Sequence, residues 1–248
     1  MNTAPYLRLH LFFAADNDRA VILRQAAAKL FNLILWHRDS DTFEDGQWLK
    51  SKVYVERCDL SPDGRHFIYF ALNGDWGGVT KGAYSAISRP PYFTALSLFP
   101  QGHTWGGGGV FLDNRHYHAF GDADVIGRDD DLARVTFGAP TRDCRTGLRL
   151  INGQRAPIDR AATRRLLADP PPRTSRELYD RLAVPRPGLL DRYDTLGGKL
   201  YRRRGDKLEL IRDFTEMTFE NVRAPYDWRD NSPAEDVAPW HPLDRSER

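Results

Sequence analysis

The sequence predicts a mainly β protein, an antiparallel array of hairpins carrying one short helical insertion. Three observations predict it. Apolar residues recur with a two-residue period through the first third of the chain. Turn signals built from Gly, Pro, Asp and Asn separate the apolar runs. The period lengthens to that of a helix only between about residues 155 and 195. The 248 residues fit a single β-rich domain over 1–226, with a polar, Pro-bearing tail over 227–248. A chain of this length buries roughly 70–75% of the surface its unfolded form exposes, enough for a core without cross-links.

Taken in order, Leu7, Leu9, Leu11 and Phe13 share one face of a first strand, with Arg8 and His10 on the other. The apolar runs "RAVILRQ" and "KLFNLILWHR" follow, and "DSD" turns the chain into "TFEDGQWLKSKVYVERC". In "CDLSPDGRHFIYFAL", Cys58 to Leu72, Pro62 presets its φ and Gly64 supplies the positive φ of a tight turn, so "HFIYFAL" is the outgoing strand. Pro90 and Pro91 force an extended entry to the strand "YFTALSLF". Pro100 to Gly102 ends it, and four glycines, Gly106 to Gly109, precede a further strand, "VFLDNRHYHAF". The insertion is read as two short helices, "PIDRAATRRLLAD" and "TSRELYDRLAV", the second opened by a Thr174/Glu177 capping box. The chain returns to strands with "KLYRRRGDKLELIRDF" and "EMTFENVRAP".

The stretch "LSPDGRHFIYF", Leu60 to Phe70, resembles the WD40-like SPDG repeat of TolB-type β-propellers. The resemblance implies a four-stranded blade packed with others around a central channel used mostly for binding. No second SPDG occurs at the spacing of about 40–45 residues that such a repeat would give. A weaker echo aligns "LWHRDSDTFE", Leu35 to Glu44, with "LYRRRGDKLE", Leu200 to Glu209, both strand–turn–strand. The array is therefore expected to be propeller-like, complete or incomplete. A β-sandwich is the alternative, because the ten or eleven strands read from the sequence fall short of the roughly sixteen of a four-bladed propeller.

No catalytic motif is met. Ser85 lies three residues after Gly82, where a nucleophile elbow needs two, and HExxH is absent. The glycine run Gly106, Gly107, Gly108 and Gly109 lacks the Lys-Ser/Thr of a phosphate loop and leads into a strand, so it points to close approach by a ligand, a strand or Trp105. His116 and His118 share a strand face near Asp113, two or three ligands of the three or four a metal needs. The stretch "DADVIGRDDD" fails as a calcium loop, with Ile126 and Ala133 at positions that require oxygen ligands. No cofactor is expected. The two cysteines, Cys58 and Cys144, rule out a disulfide framework.

Charge is uneven. Residues 142–204 hold sixteen Lys or Arg and seven Asp or Glu, a net +9 in a chain of net +2, and Arg outnumbers Lys thirty to six. The N-terminal stretch lacks the basic segment and clean apolar run of a signal peptide, and no window reaches the ~18 unbroken apolar residues of a membrane helix, so a cytoplasmic protein without membrane association is expected. The preferred function is a non-enzymatic protein–protein interaction or scaffold module of a bacterial-type cytoplasmic complex. Its contact surface would run from Tyr92 to Trp105 and the four glycines, with another protein or a second copy as partner. Two alternatives stand beside it: a nucleic-acid binder using Arg160, Arg164, Arg165, Arg202, Arg203 and Arg204, and a metal- or ligand-dependent enzyme using Asp113, His116 and His118 beside the glycine run.

Overall fold

The computed structural model describes residues 7–120, 123–127, 131–134, 148–151, 154–157 and 192–227, with backbone only for 148–151 and 154–157. Its first sheet is a four-stranded antiparallel meander of β1 (Arg8–Phe13), β2 (Arg19–Ala27), β3 (Leu30–His37) and β4 (Thr42–Leu49). The apolar runs of β2 and β3 are continuous because both faces of this sheet are buried.

The second sheet holds β5 (Lys52–Val53), β6 (Asp59–Leu60), β7 (Phe67–Leu72), β8 (Ala83–Ser88) and β9 (Ala95–Pro100), with a 3₁₀ turn at Val55–Arg57. Strands β5 and β6 pair with the two halves of one edge of β7, Lys52 opposite Leu72 and Asp59 opposite Ile68. The turn between β6 and β7 is built as its residues dictate. Gly64 takes φ +71°, its amide donates to the Ser61 carbonyl at 2.8 Å, and the Asp63 carboxylate accepts from the Ser61 hydroxyl and the Arg65 amide.

Then come β10 (Gly109–Phe111), β11 (His116–Ala119) and β12 (Ala133–Arg134), the last parallel to β11; the hairpin β13 (Leu148–Ile151) and β14 (Gln154–Pro157); and the meander β15 (Tyr193–Leu196), β16 (Lys199–Arg204) and β17 (Lys207–Asp213). The protein is thus mainly β, in several sheets that are antiparallel apart from that one pair, with no α-helix among the described residues.

Three expectations need amendment. "VFLDNRHYHAF" is a hairpin, because the Asp113 carboxylate accepts the amides of Arg115 and His116 at 2.7 Å each and turns the chain at its middle. The ends of the expected helical insertion, Gln154–Pro157 and Tyr193–Leu196, are strands, and both expected helices lie outside the described residues. The two echoing segments are both hairpins but of different build. His37 pairs with Thr42 across a turn of four residues, whereas Arg204 pairs with Lys207 across Gly205 and Asp206 alone, so the gapless alignment does not equate their registers.

Among the described residues the sheets stack face to face through three apolar clusters. Phe12, Val21, Leu23, Phe31 and Leu33 of the first sheet meet Phe67, Tyr69, Ala71, Tyr84 and Leu98 of the second. On its other face the first sheet buries Leu11, Phe13, Ile22, Ile34 and Trp36 against Tyr193, Leu200 and Phe214. The second sheet's other face buries Ile68, Ile87 and Phe99 against Phe111 and Tyr117. Edge strands of different sheets adjoin: β6 lies against β1 and β10, and β1 against β15.

Beyond β17 the chain crosses back over these sheets. Buried Arg24 donates to the Phe214 and Met217 carbonyls at 2.9 and 3.1 Å, and the Tyr226 hydroxyl donates to the Thr94 carbonyl at 2.9 Å. Asp227, where the tail was expected to begin, is itself buried.

Candidate functional site

Antiparallel alternation sorts the loops into two ends. The turns β2–β3 and β4–β5 fall at one end of the first sheet. Pairing of Lys52 with Leu72 and of Tyr84 with Pro100 places the loops Asn73–Gly82 and Gln101–Gly108 at that same end. Trp76 and Trp105, 57% and 89% exposed, project from these two loops. Among the described residues they are the two exposed tryptophans. An indole is costly to leave in water and is enriched at binding hot spots.

The loop under Trp105 is pinned. Arg57 donates from Nη1 to the carbonyls of Thr104 and Gly106 at 2.9 and 2.8 Å, and its guanidinium lies over the Tyr54 and Phe70 rings. The Gly108 amide donates to the Ser85 hydroxyl at 2.6 Å. A Cβ on Gly107 would fall 2.2 Å from the Phe70 ring, and one on Gly108 would fall 2.2 Å from the Arg57 carbonyl oxygen. Of the partners open to the glycine run, the structure supplies a neighbouring strand and the 3₁₀ turn: Gly107 to Gly109 are buried where the backbone crosses them. The consequence for Trp105 is a fixed base from which the indole stands out.

The other sequence-predicted residues fall elsewhere. Tyr92 lies in the β8–β9 connection, at the other end of the second sheet, half-buried with its ring 6.0 Å from Tyr226. Asp113 and His116 form a pair at 2.7 Å in the β10–β11 turn, while the glycines sit at the opposite end of that hairpin. His118 shares the face of His116, as its spacing required, and its ring packs 5.4 Å from Phe120. No group of three or more His, Cys, Asp or Glu side chains converges for a metal among the described residues.

The three arginines of β16 are each matched by a carboxylate: Arg202 with Asp41 at 2.9 Å, Arg203 with Asp194 at 2.5 Å, Arg204 with Glu209 at 2.7 Å. Arg160, Arg164 and Arg165 lie outside the described residues. Cys58 is a buried thiol, and Cys144 is not described.

A polar groove of about 640 Å³ opens at the end away from Trp105, lined by Asn17, Asp18, His37, Asp39, Asp63 and Arg65. Its side chains chiefly tie loops together. Asp18 meets Arg38 at 3.3 Å, Asn17 donates to the Asp63 carbonyl at 2.8 Å, and His37 lies 2.9 Å from Glu44. An apolar groove of about 640 Å³ lies at the Trp105 end, between the β2–β3 turn and β5, lined by Ala26, Ala27, Ala28 and Val53 with Lys29 and Lys52.

Behind it, His10 on β1 hydrogen-bonds Gln25 at 3.3 Å. Burial lowers its pKa below the ordinary 6.5 and Arg8 adds repulsion, while Gln25 and Glu56 oppose the shift. The unfolded chain therefore takes up a proton near pH 6.5 that the folded chain resists. Stability is expected to be full above that value, to fall as pH drops from 6.5 towards the folded pKa, and to level off below it. Urea unfolding at stepped pH should show this slope in the wild type and lose it in His10→Gln.

The sequence reading missed Arg57, Trp76 and the lysines of this end. A usable signal was present: "WGG" occurs twice, at Trp76–Gly78 and Trp105–Gly107, each time in a connection between strands. No protein-family model matches the chain, and no match was found among curated proteins or solved structures. No helix among the described residues is long and apolar enough to cross a membrane.

Proposed function

We propose that the protein is a non-catalytic interaction module, a propeller-like array of sheets that binds a protein partner through the loop end carrying Trp76 and Trp105. The observation that carries the reading is the 89% exposure of Trp105 on a loop whose backbone is held by Arg57 and buried glycines. An exposed indole on a rigid base loses little conformational entropy when a partner covers it.

The propeller-like part of the reading draws support from three features. The first two sheets each bury both faces, where a two-sheet sandwich gives each sheet a single inner face. The strands β1, β6, β10 and β15, each at an edge of its sheet, are neighbours, as inner strands of blades are. The SPDG turn joins β6 to β7, the strand from which the meander β7–β8–β9 runs on.

The test is affinity capture from a lysate of the source cell with nuclease present, comparing wild type with Trp105→Ala. A stoichiometric protein recovered by the wild type is expected to bind Trp105→Ala about 30-fold more weakly, the scale of an interface hot spot. Equal recovery by both chains would remove this surface from the function.

A further inference from the structure

We infer that the segment recognised at this end is an acidic, aliphatic stretch of protein, seated in the groove between Lys29 and Lys52; this rests on the loop end being the binding face. The chain has six lysines, and Lys29, Lys50, Lys52 and Lys81 all belong to that end. All four are exposed, and none has a carboxylate within ion-pair distance among the described residues. The contrast with the arginines of β16 is direct, since each of those is already matched by an acid.

Arg57 and Arg8, the latter opposite Gln25, also stand at this end, and the acids there include Glu56, Asp75, Asp124 and Glu220. Lys50 and Lys52 lie over the rings of Phe219 and Tyr54, at 4.0 and 4.5 Å, so their positions are set by packing. Lys81 adopts φ +49°, a region that favours Gly or Asn, yet an ammonium-bearing side chain is kept there. A field of one sign steers an oppositely charged partner and excludes like-charged ones.

The lining of the groove decides the class of partner. Between Lys29 and Lys52 it is Ala26, Ala27, Ala28 and Val53, a small-residue surface that accepts aliphatic side chains. A single nucleic-acid strand calls for successive aromatic faces along its track, and here one face of the Trp76 ring is spent on Gly82, where a Cβ would lie 2.2 Å from it. Carboxylates on the lysines and an aliphatic residue on the alanines satisfy both parts of the groove.

The full chain is titrated against fluorescein-labelled peptides, one of alternating Glu and Leu and one with Lys replacing Glu, and against labelled oligo-dT, by anisotropy at low and moderate salt. The Glu/Leu peptide is expected to bind, the Lys/Leu peptide not, and Lys29→Glu with Lys52→Glu is expected to weaken binding at least about tenfold while thermal unfolding is unchanged.

Failure of the Glu/Leu peptide to bind, or binding that ignores the double substitution, overturns the inference. So does binding of oligo-dT alone, which would reassign the end to nucleic acid. Self-association of the chain that the double substitution abolishes, seen by sedimentation, would make a second copy the occupant. If the captured partner is lost with Trp105→Ala but kept by the lysine double variant, the loop face stands and the acidic segment falls. If it is kept by Trp105→Ala, the loop face itself falls.

Discussion

Gly107→Ala is expected to destabilise the protein by about 3–5 kcal/mol, a large share of the roughly 5–15 kcal/mol that holds a domain together. Two penalties combine. Gly107 sits at φ +107°, where an L residue is strained by roughly 1–3 kcal/mol. Its new Cβ would meet three atoms of the Phe70 ring at 2.2, 2.3 and 2.8 Å, and overpacking of that kind costs about 1–3 kcal/mol. The ring has no easy retreat, because Phe70 is fully buried, with Tyr54 4.9 Å away and the Arg57 guanidinium above it.

Gly74→Ala separates the two penalties. Gly74 has φ +78° and nothing within 4 Å of its Cβ direction, so only strain remains, about 1–2 kcal/mol. Phe70→Leu placed in the Gly107→Ala chain should recover part of the loss, a positive coupling between residues in contact. Urea unfolding of the wild type, Gly107→Ala, Gly74→Ala, Phe70→Leu and the double variant measures all of this. A Gly107→Ala cost no greater than that of Gly74→Ala would mean that the glycine run is not pressed on Phe70. Trp105 would then lack the rigid base on which its proposed role depends.

What could be read in the sequence follows from the range of the forces involved. Strand identity is local, and the alternation in β1, the apolar runs of β2 and β3 and the Ser61–Gly64 turn all announce themselves within a few residues. Asp113 illustrates the limit. "VFLDNRHYHAF" has the composition of one strand, and only a carboxylate accepting two following amides folds it in half. The residue type was visible but its hydrogen bonds were not.

The candidate site was half legible for a related reason. Trp105 and its glycines stand out in composition, but the residue that fixes them, Arg57, lies 47 and 49 positions away from the carbonyls it holds. Gly46 is another case. It reads as an ordinary glycine in a strand, yet its Cβ direction points 2.0 Å from the Pro91 carbonyl, a contact that joins β4 to the β8–β9 connection and is reinforced by the Gln47 side chain accepting the Phe93 and Thr94 amides. The lysines were scattered through the sequence and gather only when antiparallel alternation sorts the turns into two ends. Charge counted along the chain favoured residues 142–204; charge sorted by place also brings out the Trp105 end.

The same distinction between packing and charge governs the attachment of β15–β17, where Trp36→Ala is expected to cost about 3–5 kcal/mol, the range for a fully buried large aromatic. Trp36 fills the centre of the cluster between the first sheet and β15–β17, stacked 5.9 Å from Phe43 and edge-on to Tyr193 at 4.9 Å. Its Nε1 donates to the Asp41 carboxylate at 3.4 Å, the group that also receives Arg202. Apolar and ionic links therefore converge on one contact, and their sizes differ. The Arg202–Asp41 pair is partly open to water, so Arg202→Met should cost at most about 1 kcal/mol. Hydrogen exchange locates the effect. In Trp36→Ala the amides of β15–β17 should lose protection first, while those of β7 and β8, buried between the second sheet's two clusters, stay close to the global limit. If Arg202→Met matched or exceeded Trp36→Ala, the ion pair would be the principal fastening of β15–β17, and its attachment should then weaken with added salt in a way that an apolar contact does not.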